Sequence, residues 1–170
     1  MKHLVENCQI INSRYIRVPL FVIGICLTGI LVSLFRPLDA AVLDSGGVSE
    51  KLQYAYKTDQ KDRMQLKSYL FGSLKERDDV RLDQVNRIIS QEKEISSLDK
   101  FHAALIYHHS DNSGDFERAS DLATSAAKDP ELQDHYQVQW LSKAAYDRWM
   151  TSIGKPQKYH TQDKFSIGFE

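Results

Sequence analysis

Between Arg17 and Arg36 the chain runs for eighteen residues, VPLFVIGICLTGILVSLF, without a charge. As a helix rising about 1.5 Å per residue, this run is about 27 Å long, close to the ~30 Å hydrocarbon core of a bilayer. Tyr15 and Ile16 extend it, and Arg17 can snorkel toward headgroups. Pro19 falls in the first turn, where a missing N–H costs little. The run is expected to be a retained transmembrane helix, residues 18–35. Two alternatives stand beside it. A cleaved secretory signal has a shorter apolar region and a small-x-small cleavage site, whereas FRPLDAAV places Leu38 or Asp39 at the −3 position. A buried core helix is rarely so uniformly apolar. Cys26 follows Gly-Ile, a poor lipoprotein signal.

The flanks give an orientation. Lys2, Arg14 and Arg17 precede the run, and Arg36 alone follows it before Lys51. Basic residues favour the cytoplasmic side. The expected layout is a short cytoplasmic segment, 1–17, the span at 18–35, a linker at 36–48 and an extracytoplasmic domain at 49–170. In a Gram-negative cell that domain is periplasmic. The lipid bilayer is then a partner of the chain. The linker reading rests on Pro37, Gly46 and Gly47 in a stretch with no sustained period.

From Ala41 onward there are 18 Lys plus Arg against 21 Asp plus Glu, so the domain is near −3. A nucleic-acid binder needs a basic face, and none is expected here. Both cysteines, Cys8 and Cys26, precede the domain, which excludes a disulfide framework or Cys-ligated zinc within it. No cofactor is implied.

The domain reads as all-α, a bundle of about five helices. Leu52, Ala55, Tyr56, Met64, Leu66, Leu70 and Leu74 follow helical spacing from Ser49. A second helix is predicted from Asp78 or Asp79 to Ser90. Ser96 with Asp99 has capping-box form and starts a third, carrying Leu98, Phe101, Ala104, Leu105 and Tyr107. SDNSGD is a turn. Phe116, Ala119, Leu122, Ala123 and Ala126 mark a fourth helix. Asp129-Pro130 is a start signal for the last, which Gly154 ends. Phe101, Phe116, Trp140 and Trp149 are the expected core aromatics. GDFERASDLATSAAKDP, Gly114 to Pro130, is similar to the second helix of a tetratricopeptide unit. The period does not recur, so the expectation is one tetratricopeptide-like helical hairpin packed by small residues.

The most distinctive stretch is YDRWMTSIGKPQKYHTQ, Tyr146 to Gln162, with DQKDR at Asp59–Arg63 and IYHHSD at Ile106–Asp111 upstream. Together these resemble an uncharacterised bacterial domain family whose members carry DQxxR, VQHxD and a terminal DR…GkPQxYGTQ. The resemblance spans roughly residues 55–165 and implies a fold and a site location, with no activity attached. Two positions depart from it. His108 stands where the family has Gln, and His160 where it has the Gly of GTQ. If that glycine serves a positive φ or a close backbone approach, His160 alters the loop.

Asp147 and Arg148 can face a ligand, the guanidinium gripping an anion bidentately, or form an ion pair that locks the following loop. Gln157, Tyr159, Thr161 and Gln162 can line a ligand site or satisfy the loop's own backbone. His109 is the candidate acid–base residue, or else a helix-to-helix hydrogen-bond partner. No Gly-x-Ser-x-Gly elbow or P-loop accompanies it. His102 and His109 lie two turns apart, about 10 Å in rise, too far for one ion, and no HExxH pair is present. No metal site is expected.

Two functions follow. One is a membrane-anchored module that binds a protein partner or serves a larger membrane complex. The other is an enzyme, a hydrolase for example, using His109 with Asp147, Arg148 and Gln162. Convergence of those four on one solvent-open pocket favours the enzyme; scatter or mutual burial opposes it.

Overall fold

The protein is described here by a computed structural model covering residues 17–31, 42–65, 73–92 and 94–162. Every element among these residues is helical. Residues 17–31 are helical and their large apolar side chains are exposed, Val18 at 64% and Phe21 at 70%. Among the described residues no helix is long and apolar enough to cross a membrane. The remainder of the expected span, 32–35, lies outside the described residues, as do segment 1–16 and the linker through residue 41.

The domain comprises α1 (Val48–Arg63), α2 (Ser73–Gln91), α3 (Ser97–His108), α4 (Ser113–Ala127), a 3₁₀ turn (Pro130–Leu132) and α5 (Tyr136–Ser152). The local signals act as written for α3, where Ser96 Oγ accepts the Asp99 N–H at 3.1 Å. At α4, Asn112 caps the helix, so only the first half of SDNSGD is turn and Gly114 lies in the helix. The end of α5 is a Schellman arrangement. Lys155 N–H donates to Met150 O at 2.8 Å and Gly154 N–H to Thr151 O at 3.1 Å, with Gly154 at φ 71°.

Three boundaries differ from expectation. Helix α1 stops at Arg63 instead of running on to Leu74, because its inward face turns polar at Thr58, Asp59 and Asp62. Met64, at a helical apolar spacing, is an exposed C-cap at 85%. Leu74 belongs to α2, and Leu66 and Leu70 lie outside the described residues. Helix α2 begins at Ser73, before Asp78, whose carboxylate pairs with arginines instead of capping a helix. Asp129-Pro130 opens the 3₁₀ turn, and α5 starts afresh after His135. Gln139 Nε2 donates to Ala127 O and Leu132 O, sealing that connection.

The core joins Leu52 and Ala55 of α1, Val85 and Ile88 of α2, Phe101 and Leu105 of α3, Ala119, Ala123 and Ala126 of α4, and Val138, Leu141 and Ala145 of α5. Helix α4 packs most extensively, between α3 and α5. The alanines at this seam are fully buried, so the helices approach closely, as the small-residue hairpin requires. A larger side chain there would overpack the seam, at a cost of about 1–3 kcal/mol. Phe101 and Phe116 are buried as expected. Trp140 is 41% exposed and Trp149 half-buried, while Tyr107, hydrogen-bonded to Asn86, fills the interior instead.

Candidate functional site

The C-terminal ends of α1 and α3 meet the N-terminal half of α2 at one corner of the bundle. Charge patterning puts a polar network there. Asp59, Asp62 and Arg63 occupy one side of α1 at helical spacing, and Arg77, Asp78 and Arg81 do the same on α2. Arg81 is fully buried. It binds Asp62, reaches Asp78 Oδ1 at 2.7 Å, and donates to Thr58 Oγ1 at 3.2 Å and Thr58 O at 3.3 Å. Arg77 Nε donates to Asp62 at 2.6 Å. Arg63 Nη2 bridges Asp59 at 3.0 Å and Asp78 at 2.9 Å. Buried charges are tolerated when paired and hydrogen-bonded in this way.

At the open edge of the network stands His109, just past the end of α3. Its Nδ1 lies 3.0 Å from Asp59 Oδ1 and 3.0 Å from Arg63 Nε. One tautomer satisfies all three groups. With the proton on Nδ1, the imidazole donates to Asp59, and Arg63 Nε still has Asp59 Oδ2 at 3.3 Å. The other tautomer would set a ring lone pair against a carboxylate oxygen. In that neutral tautomer Nε2 is the acceptor, and no hydrogen bond engages it among the described residues. Burial opposes ionisation of Asp59, but the hydrogen bond and charge of His109, then Arg63 and Gln60, outweigh it, and its pKa falls below the usual value. Burial pushes Asp78 up, against the pull of Arg63.

His109 lines a cleft of about 310 Å³ with Asp59, Asp78, Ser110, Asp111, Lys75 and the apolar Leu74, Leu82 and Ile106. Lys75 pairs with Asp111 across its rim. His108 points elsewhere: its ring is buried beside that of His109, centroids 5.6 Å apart, and Nδ1 has no partner. Burial, then the charges of His109, Arg148 and Arg63, push its pKa down to about 3, so it is neutral at physiological pH.

The C-terminal loop is built differently. Asp147 is fully buried on α5, and its carboxylate accepts the backbone N–H groups of Lys158 (2.8 Å), Tyr159 (3.0 Å) and Thr161 (2.9 Å) and the Thr161 hydroxyl (2.8 Å). Burial works against its charge, but these donors prevail and hold its pKa down. Gln157 Oε1 accepts the Gln162 N–H at 3.0 Å, and Gln162 Nε2 donates to Ala144 O at 3.2 Å. Tyr159 sets its ring edge-on to Tyr146, centroids 5.9 Å apart. His160 has φ 55°, the one positive φ of a non-glycine residue among those described. The position where the resembled family carries glycine therefore does take the left-handed conformation.

His109, Asp147, Arg148 and Gln162 thus do not converge. His109 opens on the cleft, whereas Asp147, Gln157, Thr161 and Gln162 are engaged within their loop. Arg148 turns from the loop, its Cζ 4.7 Å above the Phe116 ring. Asp59 and Arg63 of DQKDR and His109 of IYHHSD do come together, across 46 to 50 residues of sequence. Arg77, Asp78 and Arg81 were not singled out as site residues. The alternation of acids and bases at three- and four-residue steps on two neighbouring helices was the signal for them. No group of three or more His, Cys, Asp or Glu side chains is arranged to hold a metal among the described residues. No family model matches this chain, and no curated protein or solved structure does either.

Proposed function

We propose that the chain is a membrane-tethered helical domain that binds a small polar ligand in the cleft lined by Asp59, Asp78 and His109, with His109 available as its acid–base group. The observation that carries this reading is the open Nε2 of a histidine whose other nitrogen is fixed by a buried aspartate. That arrangement supplies an oriented base to whatever enters the cleft. The resemblance of DQKDR and IYHHSD to family motifs adds to it, since both contribute to this corner. The Asp147 loop, on this reading, is a structural clasp.

The tether is supported by the helical, outward-facing apolar side chains of residues 18–31, which are not packed into the domain. The charge bias favours a domain outside the cytoplasm. Protease added to intact spheroplasts should then digest it, and its survival would overturn that orientation.

The cleft is tested by thermal melting of the full-length, detergent-solubilised protein against a panel of phosphate, carboxylate and amide compounds. At least one should raise the melting midpoint of the natural protein and have no effect on His109→Ala. If each stabilising compound acts equally on His109→Ala, the assignment is wrong.

A partner-binding role has its own support in Tyr136, 78% exposed, and Trp140, one turn apart on α5 and turned to solvent. Such aromatics often anchor interfaces. Affinity capture of the solubilised protein should then return a stoichiometric partner that Tyr136→Ala with Trp140→Ala loses.

A further inference from the structure

The cleft beside His109 has a charge as well as a shape. Among the described residues its lining carries four carboxylates, Asp59, Asp78, Asp79 and Asp111, against one ammonium, that of Lys75. The arginines that pair with Asp59 and Asp78 do not line it, and Arg81 is fully buried. A molecule entering from solvent therefore meets carboxylates before guanidinium groups. Low-dielectric walls focus such a field, drawing cations in and turning anions away. Asp78 is still short of positive charge: burial, with the charge of Asp59, raises its pKa against the pull of Arg63.

Acids alone would not make a site. Here the cavity of about 310 Å³ and the Nε2 of His109, an acceptor with no hydrogen bond among the described residues, give the place, and the acids give the sign. An open acceptor beside carboxylates asks for a ligand that donates. The walls add an apolar requirement. Leu74, Asp78 and Leu82 follow at four-residue steps along α2, so a carboxylate sits between two aliphatic side chains, and Ile106 of α3 joins them in the lining. Aliphatic walls suit an organic ion, and among the described residues these groups are not arranged to hold a metal. The fold already sets one primary ammonium at the rim. Lys75 Nζ pairs with Asp111 and lies 4.0 Å from Asp79, and all three side chains are exposed.

We infer that the cleft takes an organic cation, an ammonium group on a short apolar chain, whose N–H donates to His109 Nε2 while its charge faces Asp78 and Asp79 and its chain lies on Leu74, Leu82 and Ile106. The inference rests on the cleft reading above and narrows it from any small polar molecule to an amine. An amide is the uncharged counterpart, able to make the hydrogen bond without the charge.

The test uses the full-length protein in a non-ionic detergent and three probes of one chain length: butylammonium, butyramide and butyrate. Each is titrated at constant ionic strength against potassium chloride, and thermal midpoint and calorimetric binding are read. Butylammonium should bind saturably and about tenfold more tightly than butyramide, and butyrate should not bind. Asp79→Asn, an exposed change, should weaken butylammonium about threefold and leave butyramide as it was. Lys75→Met removes the competing ammonium and should strengthen butylammonium by about the same factor, a gain that no loss of folding can imitate. Butyrate binding as tightly as butylammonium, stabilisation by potassium chloride equal to that by butylammonium, or saturable binding of none of the three overturns the inference. So does a Lys75→Met protein that binds butylammonium no better. His109→Ala separates the two readings. If butyramide and butylammonium bind equally and both are lost there, the cleft stands and its preference for a cation falls. If butylammonium binds His109→Ala undiminished but weakens in Asp79→Asn, the histidine cleft falls and the acidic rim remains.

Discussion

Asp59 and Asp147 are both buried aspartates in the motif-bearing parts of the chain, and both are held ionised against their burial. Their partners divide them. Asp147 faces backbone N–H groups, which have no alternative state and nothing to pass on. It closes the loop from Lys158 to Thr161 onto α5 as a side chain standing in for a strand of carbonyls. Asp59 faces a histidine and an arginine, side chains that can also bind other groups, and its histidine opens onto a cleft. A buried carboxylate is thus read by its donors: main-chain donors mark a clasp, and side-chain donors that continue to solvent mark a place where chemistry can happen.

The contrast predicts opposite phenotypes. Asp147→Ala strips partners from three backbone N–H groups and should cost about 3–5 kcal/mol in urea unfolding of the tethered protein. Where it still folds, it should keep ligand binding at the cleft. His109→Ala removes one of several donors to Asp59, which keeps Arg63 and Gln60, and should cost less, about 1–2 kcal/mol, while losing the ligand. Equal destabilisation by the two variants would erase the distinction.

The next effect concerns pH. Folded His108 has its pKa pushed down to about 3 from an ordinary value of 6.5. As pH falls from 6.5 toward 3, the unfolded chain takes up a proton that the folded one refuses, so stability is lost across that window, by a few kcal/mol at about 1.4 per unit. Asp59 and Asp147 act lower: their contribution is present above the ordinary 3.8 and lost as pH falls through their depressed values. His108→Gln, the residue of the resembled family, should flatten the melting midpoint between pH 6.5 and about 4 and leave the steeper loss below. An unchanged slope in that range would show that His108 accepts its proton in place.

The smallest effect lies at His160, held at φ 55° in the clasp. His160→Val should destabilise by about 1–2 kcal/mol, since a β-branched side chain tolerates that region poorly, while His160→Gly should equal or exceed the natural protein. Chemical unfolding of the pair measures it. A tolerated valine would mean the loop can relax, and the clasp is less rigid than its hydrogen bonds imply.

Much of this was legible in advance wherever the information is local. The fourth helix, the Ser96 start and the Gly154 stop each depend on groups within a few residues, and each signal was read correctly. The sequence pattern failed where local signals competed with partners far away. Asp78 looked like a helix start because an aspartate before an apolar run usually is one, but Arg63, fifteen residues back, claimed it. Met64 kept the apolar spacing after the helix had lost its reason to continue. The motif from Tyr146 to Gln162 and His109 were both visible; which of the two readings of each polar residue holds, ligand or loop backbone, was not.

The residues alone determined an all-helical domain, a thiol-free and slightly acidic one, and an N-terminal apolar run, because helical period, caps and charge are properties of neighbours in the chain. Only the tertiary structure decided which of two adjacent histidines is buried, which of two consecutive residues, Asp147 and Arg148, is spent on the loop, and that Arg81 lies at the centre of a network. Those are matters of contact between segments 15 to 50 residues apart, where one turn of a helix, about 100° per residue, separates a buried side chain from an available one.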